Sequence, residues 1–138
     1  MFAFRQFKEW YPGFDEQCWV SSSRQQLGIS GGDDTLGYDF VYDDLQGALG
    51  GVPGARCLIE VKANGGPLSS RFMFTRHEWE VALEANARGD VYLIARVSHV
   101  DSQPRVAVVL PDPVAMIHRG ELELQVQSYW ITDRRSHG

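Results

Sequence analysis

The sequence predicts an α/β fold with a mixed β-sheet flanked by helices. Three observations carry that prediction. Residues 37–42 and 91–97 alternate as strands do, a strong helix signal lies between strand-like runs, and a Gly-rich turn joins two runs that read as an antiparallel pair. At 138 residues the chain fits one domain around a single core.

Residues 2–10 carry Phe2, Phe4, Phe7 and Trp10 at helical spacing, and Tyr11-Pro12-Gly13 ends that helix. Cys18-Trp19-Val20 reads as a short buried strand, and residues 21–35, polar and Gly-rich, as a loop. In residues 37–42, Tyr38, Phe40 and Tyr42 face one side as a core surface, with Asp39 and Val41 on the other. Residues 46–54 hold four glycines and a proline and form the turn into a second strand over 56–63. A loop at 64–67 precedes a short third strand over 71–74.

Thr75 and Glu78 fit a capping box. The helix they open presents Trp79, Ala82, Leu83 and Asn86 on one face, so Trp79 and Leu83 are expected against the sheet, and Gly89 ends it. Residues 91–97 form a strand, and 105–110, nearly all apolar, a central or well-covered one. Pro111 and Pro113 break it, 114–119 make a helical turn, 121–127 alternate as a half-exposed strand, and the chain frays after Asp133.

Alternation also assembles a chemical group. Glu60 and Lys62 share one face of their strand, and Ile59 and Val61 share the other. Asp39 lies on the neighbouring run, so two carboxylates and an ammonium converge if the strands are adjacent. Asp39 and Glu60 are hard oxygen ligands suited to Mg2+ or Mn2+, the carbonyl of Val61 can add another, and Lys62 can orient a water or offset charge on a phosphate. The same Glu-x-Lys spacing also fits a cross-strand ion pair worth about 0.2–1 kcal/mol.

Bulk composition narrows the field. No apolar run approaches a membrane span, and no signal peptide pattern opens the chain. Cys18 and Cys57 form no Cys-x-x-Cys pair, so reduced core cysteines and a cytoplasmic setting are expected, without zinc. The formal net charge of -5 runs against strong unaided binding of nucleic acid. Part of it is local: Asp33, Asp34, Asp39, Asp43 and Asp44 crowd a stretch without Lys or Arg, and all but Asp39 read as loop and turn residues.

Four segments occur in a recognisable order: Gly37-Tyr38-Asp39-Phe40, Ile59-Glu60-Val61-Lys62, the run from Phe74 to Ala82 that begins Phe74-Thr75-Arg76-His77-Glu78, and Tyr92-Leu93-Ile94-Ala95-Arg96-Val97. With Tyr11-Pro12, Phe14-Asp15 and Trp19-Val20-Ser21-Ser22, the chain resembles the NO VEIN C-terminal domain family over residues 10–130. That family is similar in pattern to the PD-(D/E)xK nucleases. The resemblance implies a restriction-endonuclease-like core, with Asp39, Glu60 and Lys62 as catalytic residues. It also implies Mg2+ or Mn2+ held by Asp39, Glu60 and Val61, DNA as substrate, and ATPase or helicase-like partner domains, often in bacterial defence. Such domains often add a glutamate from the first helix; here only Glu9 and Glu16 are near, as imperfect substitutes.

Other residues have two readings each. Glu78 is a cap or a site carboxylate. Arg76 and His77 are a solvated helix start or a phosphate contact. Arg56 and Arg71 are surface charges or DNA-backbone contacts, and the serines at 21–23 are loop residues or site lining. Three functions compete: a metal-dependent DNA endonuclease module, a non-catalytic docking module on the same fold, and a domain that binds nucleic acid without cleaving it.

Overall fold

The computed structural model describes residues 2–69, 71–126 and 130–136. A four-stranded sheet runs in spatial order β1 (Phe40–Asp44), β2 (Ala55–Ala63), β3 (Val91–Ser98), β4 (Arg105–Pro111). The β1–β2 and β3–β4 pairs are antiparallel and β2–β3 is parallel, so the sheet is mixed. A parallel pair needs a long crossover, which the loop after β2 and helix α2 (Arg76–Ala87) provide. Helix α1 (Phe2–Trp10) opens the chain and α3 (Pro113–His118) follows β4. This α/β arrangement is consistent with a restriction-endonuclease-like core. No helix among the described residues is long and apolar enough to cross a membrane.

Strand alternation divides the core in two. Cys57 and Ile59 of β2, with Leu93, Ala95 and Val97 of β3, point to the α1 side, where Phe4, Phe7, Phe14, Trp19, Phe40 and Tyr42 pack. Phe7 meets Phe40 edge-on, with ring centroids 5.9 Å apart, and Phe14 lies 5.5 Å from Phe40. Leu58, Tyr92 and Ile94 point the other way, toward Ala82 and Ala85 of α2 and Val114 of α3. Glu60 and Lys62 belong to this second face by the same alternation. β3 is apolar on both sides because it is covered on both sides.

Several expectations need correction. Trp19 is buried but makes only an isolated bridge to Phe40, so residues 18–20 are not a strand. Residues 22–27 coil into a 3-10 turn within the expected loop. β1 begins at Phe40, because the chain bends at Asp39, and Tyr38 consequently packs on the α2 side instead of with Phe40 and Tyr42. Residues 71–74 make no strand; Phe72 and Phe74 pack against the α2-side core from an irregular segment.

The capping box forms as expected, with Thr75 Oγ1 accepting from Glu78 N and Glu78 Oε1 accepting from Thr75 N, both at 3.0 Å. The buried stripe of α2, however, is Glu78, Ala82 and Ala85. Trp79 is half-buried and Leu83 is 41% exposed, because small residues let the helix lie close to the sheet and turn Leu83 outward. Of the two expected places for β4, the central one is excluded: it is an edge strand, with Val106, Val109 and Leu110 half-buried against the core. Pro113 starts α3 instead of only breaking β4, since its missing N–H costs nothing at a first helical position. Residues 121–126 form no strand, and residue 127 lies outside the described residues. Arg134–Ser136 close as a 3-10 turn. Cys18 and Cys57 are both free thiols.

Candidate functional site

β2 sets the geometry. Glu60 and Lys62 leave its α2-side face near its C-terminal end, and the bend before β1 brings Asp39 alongside. Asp39 N donates to Ile59 O at 2.8 Å, which ties the bend before β1 to β2 and fixes where the carboxylate stands. Its Oδ2 accepts from Val61 N at 2.9 Å and its Oδ1 from Ser21 Oγ at 2.8 Å. Ser21 Oγ in turn shares a 2.8 Å hydrogen bond with Ser23 Oγ, which accepts from the Trp19 indole at 2.9 Å. A buried tryptophan thus anchors a polar chain that ends on Asp39. Ser21 is therefore site lining, whereas Ser22 ties its loop to Asp34.

The approach of Gly32 to this loop leaves no room for a side chain. A Cβ there would sit 2.5 Å from Ser21 O, at a backbone φ of +104°. Gly32→Ala should cost about 1–3 kcal/mol and loosen the Ser21–Asp39 bond. Thermal melts and the side-chain NMR signals of Ser21 and Trp19 check this; an unaltered indole N–H signal would refute it.

Lys62 is shared between two carboxylates. Its Nζ lies 2.8 and 3.0 Å from the two Glu78 oxygens and 3.7 Å from Glu60 Oε1. Glu78 is both cap and site residue: one Oε1 accepts from Thr75 N and from Lys62 Nζ. Thr75→Ala should cost about 1 kcal/mol through the lost cap. It should also free Glu78 to move with Lys62, which a shift of the Lys62 ammonium NMR resonance would detect and an unchanged one would exclude.

Three carboxylates and one ammonium leave the cluster with a surplus of negative charge. Its effect falls on Glu60. Burial first, then the charges of Asp39 and Glu78, push its carboxyl up to about 8; Lys62 pulls the other way, and hydrogen bonding to Glu78 adds to the rise. Although Lys62 forms an ion pair with Glu60, burial and the neighbouring carboxylates win, because the ammonium sits closer to Glu78. The phenol of Tyr92, donating to Gly37 O at 2.6 Å, is also raised by burial and by the same carboxylates.

Among the described residues no three His, Cys, Asp or Glu side chains form a preformed metal cluster. The donors the site does offer are two carboxylates, Asp39 and Glu60, and the Val61 carbonyl. A strand residue directs its N–H and C=O to the same edge, so this carbonyl lies on the Asp39 side. Such a set suits a hard cation that keeps most of its waters, and the excess negative charge around Glu60 is what such a cation would offset.

Other candidates stand elsewhere. Glu9 is exposed on α1, which packs on the opposite face of the sheet, and Glu16 pairs with Lys8 at 3.2 Å. Arg56 is exposed at the start of β2, opposite Asp43. Arg76 pairs with Glu80 at 3.1 Å, and His77 bonds to Thr35 O. Asp33 caps the turn at Thr35. Asp44 is fully buried, accepting from Leu49 N and Gly50 N, and so closes the loop between β1 and β2.

A family model described as Protein NO VEIN, C-terminal, matches residues 17–109. The chain belongs to the NO VEIN C-terminal family. The matched span of this NO VEIN C-terminal domain includes Asp39, Glu60, Lys62 and Glu78, together with all of β1 to β3 and α2. It leaves out α1 and α3, and is shorter than the 10–130 that the motifs suggest. No curated protein matches the chain. No solved structure matches it either.

Proposed function

We propose that this domain is a metal-dependent nuclease module of the PD-(D/E)xK kind. It hydrolyses phosphodiester bonds in DNA and is aimed by ATPase or helicase-like domains, in a bacterial defence setting. The observation that carries this reading is the meeting of Asp39, Glu60 and Lys62 on one end of the sheet, with Glu60 raised to about 8 by crowded negative charge. Asp39, Glu60 and the Val61 carbonyl would hold the ion. Bound Mg2+ or Mn2+ supplies Lewis acidity and lowers the pKa of a coordinated water. Asp39 is fixed from two sides, so its carboxylate is oriented before any ligand arrives. Lys62 Nζ donates to a water or to a phosphate oxygen, and Glu78 holds that ammonium in place.

The test is nicking of supercoiled plasmid with Mg2+ or Mn2+ against an EDTA control. Conversion to open circle that disappears in Asp39→Asn supports the reading, and nicking that persists in that variant refutes it. A second reading, an inert docking module on the same fold, is favoured by the closer engagement of Lys62 with Glu78 than with Glu60. Calorimetry separates the two, because Asp39-dependent binding of Mn2+ contradicts an inert module.

A further inference from the structure

One strand over from Lys62, the same face of the sheet carries a cation without a counter-ion. Arg96 pairs in register with Lys62 and points to the α2 side with Tyr92 and Ile94. It is only 5% exposed. Among the described residues its guanidinium makes one hydrogen bond, from Nη2 to Ser69 O at 2.9 Å, and its buried Nε finds no partner. No carboxylate among the described residues forms an ion pair with it. The ring of Phe72, 4.3 Å from the guanidinium carbon, covers one side.

A buried charge without a partner is costly, and a cation–π contact offsets only part of that cost. The backbone adds a second observation. The β3–β4 register slips between Arg96 and Val97, the kind of irregularity that re-aims a side chain beside a functional site. Arg96 lines an open cleft of about 410 Å³ together with Lys62, Asn64, Arg71 and Phe72. Asn64, which lines the cleft, donates from Nδ2 to Gly66 O and Pro67 O and so holds the start of the loop after β2. Arg71 is exposed at the rim. Lys62 is neutralised by Glu78, whereas Arg96 and Arg71 are not neutralised by any carboxylate in the cleft.

We infer that this cleft is a phosphate subsite, in which Arg96 and Arg71 bind a phosphodiester group next to the one that Lys62 faces. The inference deepens the nuclease reading and rests on it for the identity of the strand. Planar guanidinium donors match phosphate oxygens, and one contact of this kind both strengthens binding and fixes the register of the strand over the carboxylates.

The experiment is a fluorescence anisotropy titration of the full chain with a short single-stranded oligodeoxyribonucleotide, in EDTA, over a range of salt. Arg96→Gln should weaken binding at least tenfold and lower the slope of log K against log salt by about 0.7, the value for one lost phosphate contact on a single strand. Arg71→Gln should weaken binding severalfold. Arg88→Gln makes the same change in net charge at the opposite end of β3, where Arg88 pairs with Asp90 at 2.7 Å, and should bind as wild type. A wild type that does not bind at low salt, or three variants that behave alike, overturns the subsite. If Arg96→Gln shows no cooperative melt, Arg71→Gln decides alone, and unchanged affinity there overturns it. Plasmid nicking by the wild type together with unchanged oligonucleotide binding in both cleft variants removes the subsite and leaves the nuclease. Arg96-dependent binding without nicking in Mg2+ or Mn2+ does the reverse.

Discussion

Lys62→Met should lower metal-dependent plasmid nicking by about 10²–10³, the range for removing one donor that faces developing charge in a transition state. The same change should destabilise the protein by about 3 kcal/mol at neutral pH, because it leaves Glu78 buried beside Glu60 and Asp39 without its ammonium partner. The two effects are separable. The double variant Lys62→Met/Glu78→Gln removes the stranded charge along with the ammonium. It should regain most of the lost stability in urea titrations while nicking stays at the level of the single variant. If nicking returned with stability, Lys62 would be a structural residue only. If Lys62→Met alone nicked like wild type, the amine would have no part in the reaction.

The second large effect is on stability against pH. The Glu60 carboxyl holds its proton to about 8 in the folded protein, against an ordinary value near 4.5 when unfolded. Between those values the folded state binds more protons than the unfolded one, so the metal-free protein loses stability as pH rises through this window. Below it the loss is absent, and above pH 8 it is complete. Glu60→Gln carries no charge to bury. At pH 8 in EDTA it should be more stable than wild type by on the order of 3 kcal/mol, and at pH 4.5 nearly equal to it. Urea titrations at both pH values check this, and a Gln variant no more stable at pH 8 would show that the carboxyl is not crowded. Under the proposed nuclease reading, Mn2+ bound at Glu60 would have to displace that proton. Its affinity should therefore rise with pH up to about 8, with proton release visible in calorimetry run in two buffers of different ionisation enthalpy.

What was legible in the sequence was whatever depended on local periodicity. Alternation put Glu60 and Lys62 on one strand face, and the Gly-rich turn put Asp39 on the adjacent segment. The capping box gave the start of α2. Glu78 was harder to see as a site residue because its spacing from Thr75 already explained it; only the crossing of α2 over β2 brings the same carboxylate to Lys62. Arg96 lies in one of the four motif segments, but nothing there marks it as a site residue, since the lack of a counter-ion is a property of the assembled surroundings and not of the alternating run it sits in. Leu83 was misplaced because side-chain size suggested the buried stripe, whereas Ala82 and Ala85 are what let the helix come close. The apolar run of β4 left a central and a merely well-covered place open, because strand order depends on pairings distant in sequence.

The double duty of Glu78 makes it a latch. The one crossover helix is closed at its first turn by the carboxylate that also clasps the amine on β2. Anything that draws Lys62 toward a ligand must slacken that turn, and anything that grips the start of α2 must reach Lys62. Amide exchange at Thr75, whose N–H the Glu78 carboxylate holds, would thus read occupancy at Lys62.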